Sequence, residues 1–239
     1  MNIFSLFPAA LDFLFPDRCV LCGLYIQPGH RRGPWPLCAA CEEGLTAPHG
    51  ERCIRCSRPL ISEKEICMGC RSGAQHFEAN FSLYLYQANA AAQCLSAYKS
   101  GGRRLLSGFF AERLLSVYRE KHEGLPLVPV PARRESLKKR GFDQIQLICH
   151  EMKKRGGPDF LPLLRRSKKT REQKTLSKEE RKKNLTGSIF PALRLPPALP
   201  EDVLLVDDVF TTGATANACA EALKNMGVKK VYVLTIALD

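Results

Sequence analysis

The sequence predicts an α/β protein in which helices cover both faces of a parallel sheet, preceded by a small cysteine-rich head. Three observations lead to this fold class. Eight of the eleven cysteines form four CxxC pairs before residue 71. After residue 77, apolar runs of strand length alternate with segments of helical periodicity. Those runs are almost continuously apolar, which is typical of strands that are buried on both faces of a parallel sheet.

We divide the chain of 239 residues into three parts, residues 1–16, 17–76 and 77–239. Apolar residues at helical spacing in the first part predict a short helix that docks on its own protein. This part lacks the basic start and the small-residue cleavage site of a signal peptide. The sequence has no run of about 20 apolar residues, so insertion into a membrane is not expected. We therefore expect a cytoplasmic protein whose thiols stay reduced.

The four CxxC pairs predict two structural zinc sites. Two cysteines separated by two residues turn their thiolates toward one ion, and four thiolates close a tetrahedral site. Gaps of 15, 11 and 10 residues between successive pairs suit short hairpins. A thioredoxin-like redox pair would need a CxxC that opens a helix after a strand, which this region rich in Pro and Gly does not offer. We expect sequential pairing, and the spacing leaves a cross-braced pairing open. The predicted ligands are Cys19, Cys22, Cys38 and Cys41 for one ion and Cys53, Cys56, Cys67 and Cys70 for the other.

The predicted elements of the body alternate along the chain. Strands are predicted over residues 81–86, 127–131, 203–206 and 231–237, and helices over residues 90–98, 105–119, 142–154 and 214–226. The three remaining cysteines, Cys94, Cys149 and Cys219, stand in apolar surroundings, and we expect them to be small core residues.

The most specific motif lies where a predicted strand meets a predicted helix. Residues 203–215 read Val-Leu-Leu-Val-Asp-Asp-Val-Phe-Thr-Thr-Gly-Ala-Thr. The carboxylates of Asp207 and Asp208 follow the strand at its carboxyl end, where open α/β sheets bind ligands. Small and hydroxylated residues then predict an anion cradle at the start of the helix. The cradle consists of Thr211, Thr212, Gly213, Ala214 and Thr215. A phosphate in this cradle and ribose hydroxyls on the two acids make a sugar-phosphate site the predicted function.

These motifs together resemble the ComF family, in which a cysteine-rich head precedes a type I phosphoribosyltransferase domain. Residues 203–215 are similar to the signature with which such enzymes bind phosphoribosyl pyrophosphate (PRPP). Val130-Pro131 and residues 140–144 resemble the family's Pro-Val-Pro and Arg-Gly-Phe-Asn-Gln stretches, although Asp143 replaces the usual Asn. A third stretch matches the family's spacing with Arg166, Thr170, Gln173, Leu176, Arg181, Asn184 and Leu185. Ile189-Phe190 stands slightly further on than is usual in the family.

The resemblance implies a double zinc ribbon, a type I phosphoribosyltransferase fold and a site for PRPP with Mg²⁺. Asp207 and Asp208 would orient the ribose and stabilise positive charge while pyrophosphate is displaced at the anomeric carbon. Arginines would grip the pyrophosphate, and Mg²⁺ would be a template that neutralises its charge. The pyrophosphate-side arginines are Arg133, Arg134 and Arg140. A hood over residues 165–184 contributes Arg166, Thr170, Gln173, Arg181 and Asn184. No residue is assigned as a general base.

The charge of the chain is concentrated in one segment. The formal net charge is +12, and residues 131–183 hold 18 Lys and Arg against 7 Asp and Glu. One pyrophosphate needs only about three or four of these cations. The others suit an ordinary solvated surface or a polyanion such as single-stranded DNA, although Phe142 and Phe160 alone offer little for base stacking. Two hypotheses follow: a PRPP-dependent phosphoribosyltransferase in DNA uptake or nucleotide metabolism, and a non-catalytic accessory protein of the DNA-uptake machinery that binds single-stranded DNA.

Overall fold

A computed structural model describes residues 18–26, 33, 35–71, 73, 75–87, 90–100, 103–166 and 188–239. The N-terminal helix predicted over residues 1–16 lies outside the described residues. So do four of the predicted hood residues, namely Thr170, Gln173, Arg181 and Asn184.

In the described part of the chain, all eight predicted helices and strands of the body are present, together with further elements. The head carries α1 (Ala39–Glu43) and α2 (Met68–Arg71). The body then runs β1 (Asn80–Leu85), α3 (Ala90–Lys99), α4 (Leu106–Lys121), β2 (Leu127–Pro129), α5 (Arg134–Arg140), α6 (Gln144–Lys154), β3 (Leu164–Arg166), β4 (Ile189–Pro191), β5 (Asp202–Phe210), α7 (Ala214–Asn225) and β6 (Lys230–Leu238). None of the helices described is long and apolar enough to span a membrane.

The body is built on a four-stranded sheet in which every strand runs parallel to its neighbours. The strand order is β1-β6-β5-β2, so the last strand lies between the first strand and β5. The strands β3 and β4 pair antiparallel in a separate two-stranded sheet. The predicted fold class, a parallel α/β sheet flanked by helices behind a cysteine-rich head, is confirmed.

Two apolar cores lie on the two faces of the sheet. Because side chains alternate along a strand, Leu204 and Val206 enter the first core, while Val203 and Leu205 enter the second. Helices α3, α4 and α6 cover the first face, and α7 covers the second. The three isolated cysteines are fully buried in these cores, as predicted. Burial raises the pKa of each of these thiols, which keeps them unreactive.

The cysteine-rich head contributes to both cores. Cys19 packs in the first core together with Trp35, whose ring centroid lies 5.7 Å from that of Phe109 in α4. The last four head cysteines belong to the second core. The head is therefore packed against the body on both faces of the sheet.

Several elements differ from those predicted: α1, α2, β3 and β4 are short elements that were not predicted, and β5 and α5 differ as follows. Strand β5 extends to Phe210, four residues beyond the predicted end, because β6 pairs with it as far as Phe210 opposite Leu238. The two acids consequently lie inside the strand and not after it. Helix α5 was not predicted, because none of its residues is buried and it has no apolar periodicity to detect.

Candidate functional site

A cleft opens at the carboxyl ends of β2 and β5, beside the starts of α5, α6 and α7. Its lining brings together the acid pair of β5 and cations from two other elements, α5 with the residue before it and β3. The charged or hydroxyl-bearing residues predicted for the site that line it are Arg133, Arg140, Arg166, Asp207, Asp208 and Thr215. Three guanidinium groups next to two carboxylates suit an anionic ligand that also carries hydroxyl groups.

The two acids occupy different environments because neighbouring side chains leave a strand on opposite faces. Asp207 lies on the face of the second core, and burial, together with the charge of Asp208, raises its pKa to about 7. The carboxylate of Asp208 forms an ion pair with Lys99, with Nζ and Oδ2 2.5 Å apart. The backbone N–H of Asp208 donates to Oδ1 of Asp207 over 2.8 Å. One acid is thus paired with a cation, and the other holds a proton up to near neutral pH.

Lys99 is a site residue that the sequence analysis missed. It is the last residue of α3, and a lysine in the last turn of a helix is the ordinary preference of the helix dipole. Only the packing of α3 against the sheet places its ammonium group on Asp208. The sequence contained no signal that distinguished it from other helix-terminal lysines.

Several buried polar atoms in the cleft lack a partner among the described residues. They are Nε and Nη2 of Arg166 and Nε2 of Gln144. Gln144 is only 4% exposed, and its Oε1 accepts a hydrogen bond from Arg140. A buried donor without a hydrogen-bond acceptor lowers the free energy of unfolding. Phosphate oxygens would be suitable acceptors for these donors. The cleft therefore fits a phosphorylated ligand.

The anion cradle forms the turn between β5 and α7. Gly213 has a φ of +74°, and a Cβ at this position would lie 2.7 Å from Cζ of Phe210. Both the backbone conformation and the close contact therefore favour glycine. Oγ1 of Thr212 accepts from the N–H of Ala214 over 3.4 Å. A helix start leaves backbone N–H groups without intrahelical partners, and in α7 these lie at the turn that holds Thr215.

The structure describes two further residues of the predicted pyrophosphate side. Arg134 is exposed on α5 and is not among the residues that line the cleft. Asp143, which stands where the family usually has Asn, caps α6, because its Oδ1 accepts from the N–H groups of Ile145 and Gln146, both over 3.1 Å. An Asn oxygen would accept the same bonds, so the difference costs no hydrogen bond here.

The eight head cysteines form two separate clusters in sequential order. One contains Cys19, Cys22, Cys38 and Cys41, and the other contains Cys53, Cys56, Cys67 and Cys70. The structure thus has the sequential arrangement and not the cross-braced one. Within the clusters, the sulfur atoms of Cys22 and Cys38 lie 3.9 Å apart, and those of Cys56 and Cys67 lie 3.7 Å apart. A tetrahedron with zinc–sulfur bonds of about 2.3 Å has sulfur atoms about 3.8 Å apart.

Backbone amides prepare each cluster for a metal ion. Burial raises the pKa of the Cys19 thiol, but N–H groups of Cys22, Cys38 and Leu21 outweigh this effect and lower it to about 7. Burial likewise opposes ionisation of Cys53, and N–H groups around it, first that of Cys67, lower its pKa to about 7. Side-chain Nε2 of Gln75 donates to Sγ of Cys70 over 3.1 Å. Thiolates that receive hydrogen bonds of this kind are the ligands zinc requires.

We expect about two equivalents of zinc per chain, measured by mass spectrometry of the metal content under reducing conditions. Cys70→Ser together with Cys67→Ser is expected to lower this to about one equivalent. A matched pair of core substitutions, Cys149→Ser with Cys219→Ser, controls for loss of thiols outside the clusters and is expected to keep both ions. A wild-type chain with one ion, or with none, would contradict the assignment.

The chain is similar to known proteins over most of its length. A family model of the double zinc ribbon domain matches residues 10–71. Competence protein ComFC of Streptococcus pneumoniae is 26% identical over 201 residues, which cover 84% of this chain and 86% of that protein. Competence protein ComFC of Bacillus subtilis is 28% identical over 201 residues, with 80% and 79% covered. These matches together support a ComF family protein.

Other relatives of the chain are named for the utilization of DNA. DNA utilization protein YhgH of Escherichia coli is 26% identical over 225 residues, which cover 91% of this chain and 95% of that protein. Among solved structures, a hypoxanthine phosphoribosyltransferase of Staphylococcus aureus superposes with a TM-score of 0.36 at 15% identity. That superposition covers 57% of this chain and 65% of the length of the enzyme.

Proposed function

We propose that this ComF protein binds PRPP with Mg²⁺ in the cleft at the carboxyl ends of β2 and β5, as a protein of the phosphoribosyltransferase type that works in DNA uptake. The observation that carries the proposal is the meeting of Asp207 and Asp208 with three arginines in one cleft. The buried and unsatisfied guanidinium nitrogens of Arg166 are the strongest sign of an anionic ligand. In this proposal residues 77–239 are the PRPP-binding domain, residues 17–76 the zinc ribbon and residues 1–16 an N-terminal helix.

Each part of PRPP has a matching part of the cleft. Ribose hydroxyls donate to the carboxylates of Asp207 and Asp208. The 5-phosphate accepts from the cradle at the start of α7, which includes Thr211, Thr212, Gly213, Ala214 and Thr215. The pyrophosphate lies against Arg133, Arg140 and Arg166, whose planar groups bind phosphate oxygens in pairs. We keep Thr170, Gln173, Arg181 and Asn184 as hood residues that close over the bound ligand.

The reaction that suits these residues is displacement of pyrophosphate at the anomeric carbon of the ribose. The arginines hold the leaving pyrophosphate, and the acid pair faces the ribose, where positive charge develops as the bond breaks. Mg²⁺ would neutralise charge on the pyrophosphate, and the carboxylate oxygens in the cleft are donors of the hard type that it accepts. The acceptor binds in a part of the cleft that we do not assign.

Isothermal titration of the zinc-loaded protein with PRPP and Mg²⁺ tests the proposal. We expect saturable binding at one site per chain. Separate titrations with ribose 5-phosphate and with pyrophosphate should each give weaker binding, because each ligand fills only part of the cleft. No binding of PRPP at millimolar concentration would overturn the proposal. A pyrophosphate-release assay with candidate acceptors then separates turnover from binding alone.

A second candidate function is attraction of single-stranded DNA, and the surface of α5 favours it. This helix and the residue before it expose Arg133, Arg134, Lys138 and Lys139, with Glu135 as the one acid in the helix. Among the residues that the structure describes, no ion pair involves Lys138 or Lys139. The aromatic residues of the cationic segment are partly buried against the first core. Phe142 contacts Arg104 and the edge of Tyr98, and Phe160 makes an edge-on contact with His150. Attraction of the DNA backbone without base stacking is the form this function would take.

Charge reversal on α5 tests the DNA function. Lys138→Glu with Lys139→Glu is expected to weaken single-stranded DNA binding about 10-fold at low salt and to flatten its dependence on salt concentration. Lys153→Glu with Lys154→Glu is the matched control, because it changes the charge equally where both lysines already pair with acids, Asp159 and Glu151. Fluorescence anisotropy with a labelled oligonucleotide measures both. Equal losses in the two variants would show that only net charge matters, and not α5.

A further inference from the structure

The second zinc cluster, formed by Cys53, Cys56, Cys67 and Cys70, is connected to the proposed ligand site by a short described segment, residues 75–80. The segment leaves the cluster at Gln75, whose Nε2 donates to Sγ of Cys70 over 3.1 Å. It then crosses the start of α7 before it enters the sheet as β1. Each of its residues from Gln75 to Phe77 makes a contact that leads from the cluster toward the anion cradle.

Two of these contacts reach the cradle. The N–H of His76 donates to Oδ1 of Asn217 over 2.6 Å, and the N–H of Asn217 in turn donates to the carbonyl oxygen of Gly213 over 2.8 Å, in the first turn of α7. The ring of Phe77 packs edge-on against Phe210, with ring centroids 5.8 Å apart. Phe210 lies directly under the backbone of Gly213. Phe210 and Asn217 therefore contact the cradle directly, and residues 75–80 contact both of them.

A buried polar row leads from the same cluster to the acid pair. Nδ2 of Asn80 donates to the carbonyl oxygen of Cys56 over 3.1 Å and to Oγ of Ser82 over 3.0 Å. Oγ of Ser82 lies 2.7 Å from Oγ1 of Thr235. Thr235 stands opposite Asp207 in the pairing of β5 with β6, on the same face of the sheet. Asn80, Ser82 and Thr235 are all almost fully buried.

The first cluster is connected differently. Its contacts run through Trp35 to Phe109 and through Glu42 to Arg113, both in α4 on the opposite face of the sheet. Its cysteines are also less buried, since Cys22 is exposed while all four cysteines of the second cluster are buried. The two clusters thus support different parts of the body.

We propose that the second zinc cluster positions the anion cradle and Asp207 through residues 75–80, so that its metal ion, and not that of the first cluster, is required for sugar-phosphate binding. This inference rests on the proposed function, because it concerns the same cleft. Phe77, Asn80 and Asn217 are positioning residues in this arrangement and touch no ligand themselves. Loss of the ion would release Cys56 and Cys70, and with them the two supports of the cleft.

Stepwise metal removal from the full-length protein tests the proposal. A chelator is added in steps, PRPP binding with Mg²⁺ restored in excess is measured by calorimetry, and alkylation with peptide mass mapping shows which cysteines have lost their ion. We expect PRPP affinity to stay within about 2-fold of its starting value while the first cluster empties, and to fall at least 10-fold when the second empties. Affinity that follows the first cluster, or that survives loss of the second, would overturn the proposal.

A double-mutant cycle distinguishes loss of a shared contact from general destabilisation of the protein. Phe77→Leu and Phe210→Leu are each expected to weaken PRPP binding about 10-fold, and the double variant no more than about 20-fold, because both remove the same contact. Independent effects would multiply to about 100-fold. Phe109→Leu is the matched control, a buried phenylalanine that contacts the first cluster's Trp35, and it should bind PRPP within about 2-fold of wild type. Hydrogen exchange of residues 210–217 should rise in Phe77→Leu and not in Phe109→Leu.

The outcomes distinguish failure of this inference from failure of the proposed function. If the zinc-loaded wild type binds no PRPP, the proposed function fails and the inference fails with it. If the wild type binds PRPP and the effects of Phe77→Leu and Phe210→Leu multiply, or neither has an effect, the function stands and the inference is overturned.

Discussion

Replacing Asp207 and Asp208 by alanine is expected to abolish Mg²⁺-dependent PRPP binding while the fold survives. The two carboxylates are the acceptors in the cleft for ribose hydroxyls, and each hydrogen bond to a charged group contributes about 1.5–3 kcal/mol. Losing two such acceptors should weaken binding more than 100-fold. Titration calorimetry with PRPP measures the loss. The fold should persist because alanine also relieves the burial of Asp207, and circular dichroism checks this.

The matched control for this prediction lies at the other end of the same strand. Glu201→Ala with Asp202→Ala removes an adjacent acid pair at the start of β5, and Glu201 there forms an ion pair with Lys229 over 2.7 Å. The control variant loses the same two charges from the same strand and should bind PRPP like wild type. If the Asp207–Asp208 variant retains wild-type affinity, the acid pair does not hold the ligand and the site assignment is wrong.

Asp207→Asn is expected to make the protein more stable at pH 8 and to weaken PRPP binding at the same time. Burial raises the pKa of Asp207 from 3.8 to about 7, so the folded protein holds this proton more tightly than the unfolded chain does. The contribution of Asp207 to stability therefore falls as the pH rises from about 4 to about 7, and the penalty stays constant above that range. At about 1.4 kcal/mol per pKa unit, removing the charge should stabilise the fold at pH 8 by on the order of 4 kcal/mol.

Chemical denaturation at a series of pH values measures this difference. The gap between Asp207→Asn and wild type should open between pH 4 and pH 7 and then remain constant. Asp202→Asn makes the same isosteric change at the partly exposed start of β5 and reports the cost of the substitution itself. PRPP affinity of wild type should rise as the pH passes 7, and that rise should be absent in Asp207→Asn. Equal stability of Asp207→Asn and wild type at pH 8 would contradict the burial of a charged Asp207. Such a trade between stability and binding is common where function needs a strained site.

The fold and half of the site were predictable because both rest on local patterns. Continuous apolar runs marked the strands, and the CxxC spacing marked the ligand sets. The run from Val203 to Thr215 placed both acids and the cradle, since all of them come from one strand, one turn and one helix. What the sequence analysis missed depends on contacts between elements distant in sequence. Lys99 reaches Asp208 only because α3 packs on the same face of the sheet as that carboxylate.

Two further misses have separate physical reasons. Helix α5 is polar all round and buries none of its residues, so the periodicity that reveals other helices is absent from it. The end of β5 was placed too early because acidic residues rarely continue a strand. Pairing with β6 overrides that preference at Asp207, which stands opposite Thr235. Tertiary pairing of this kind cannot be read from a window of neighbouring residues.

The place of β6 in the sheet has a consequence for how the chain is made. Strand β1 pairs with β6 alone among the described strands, and β6 comes last in the order of synthesis. Until residues 230–238 leave the ribosome, β1 has no described strand to pair with and cannot be joined to β5 in the sheet. The side chain of Arg58 even reaches the carbonyl oxygen of Asp239. Strand β1 is therefore translated before the other strands of the four-stranded sheet and joins them last, so this sheet is completed only when β6 has been made.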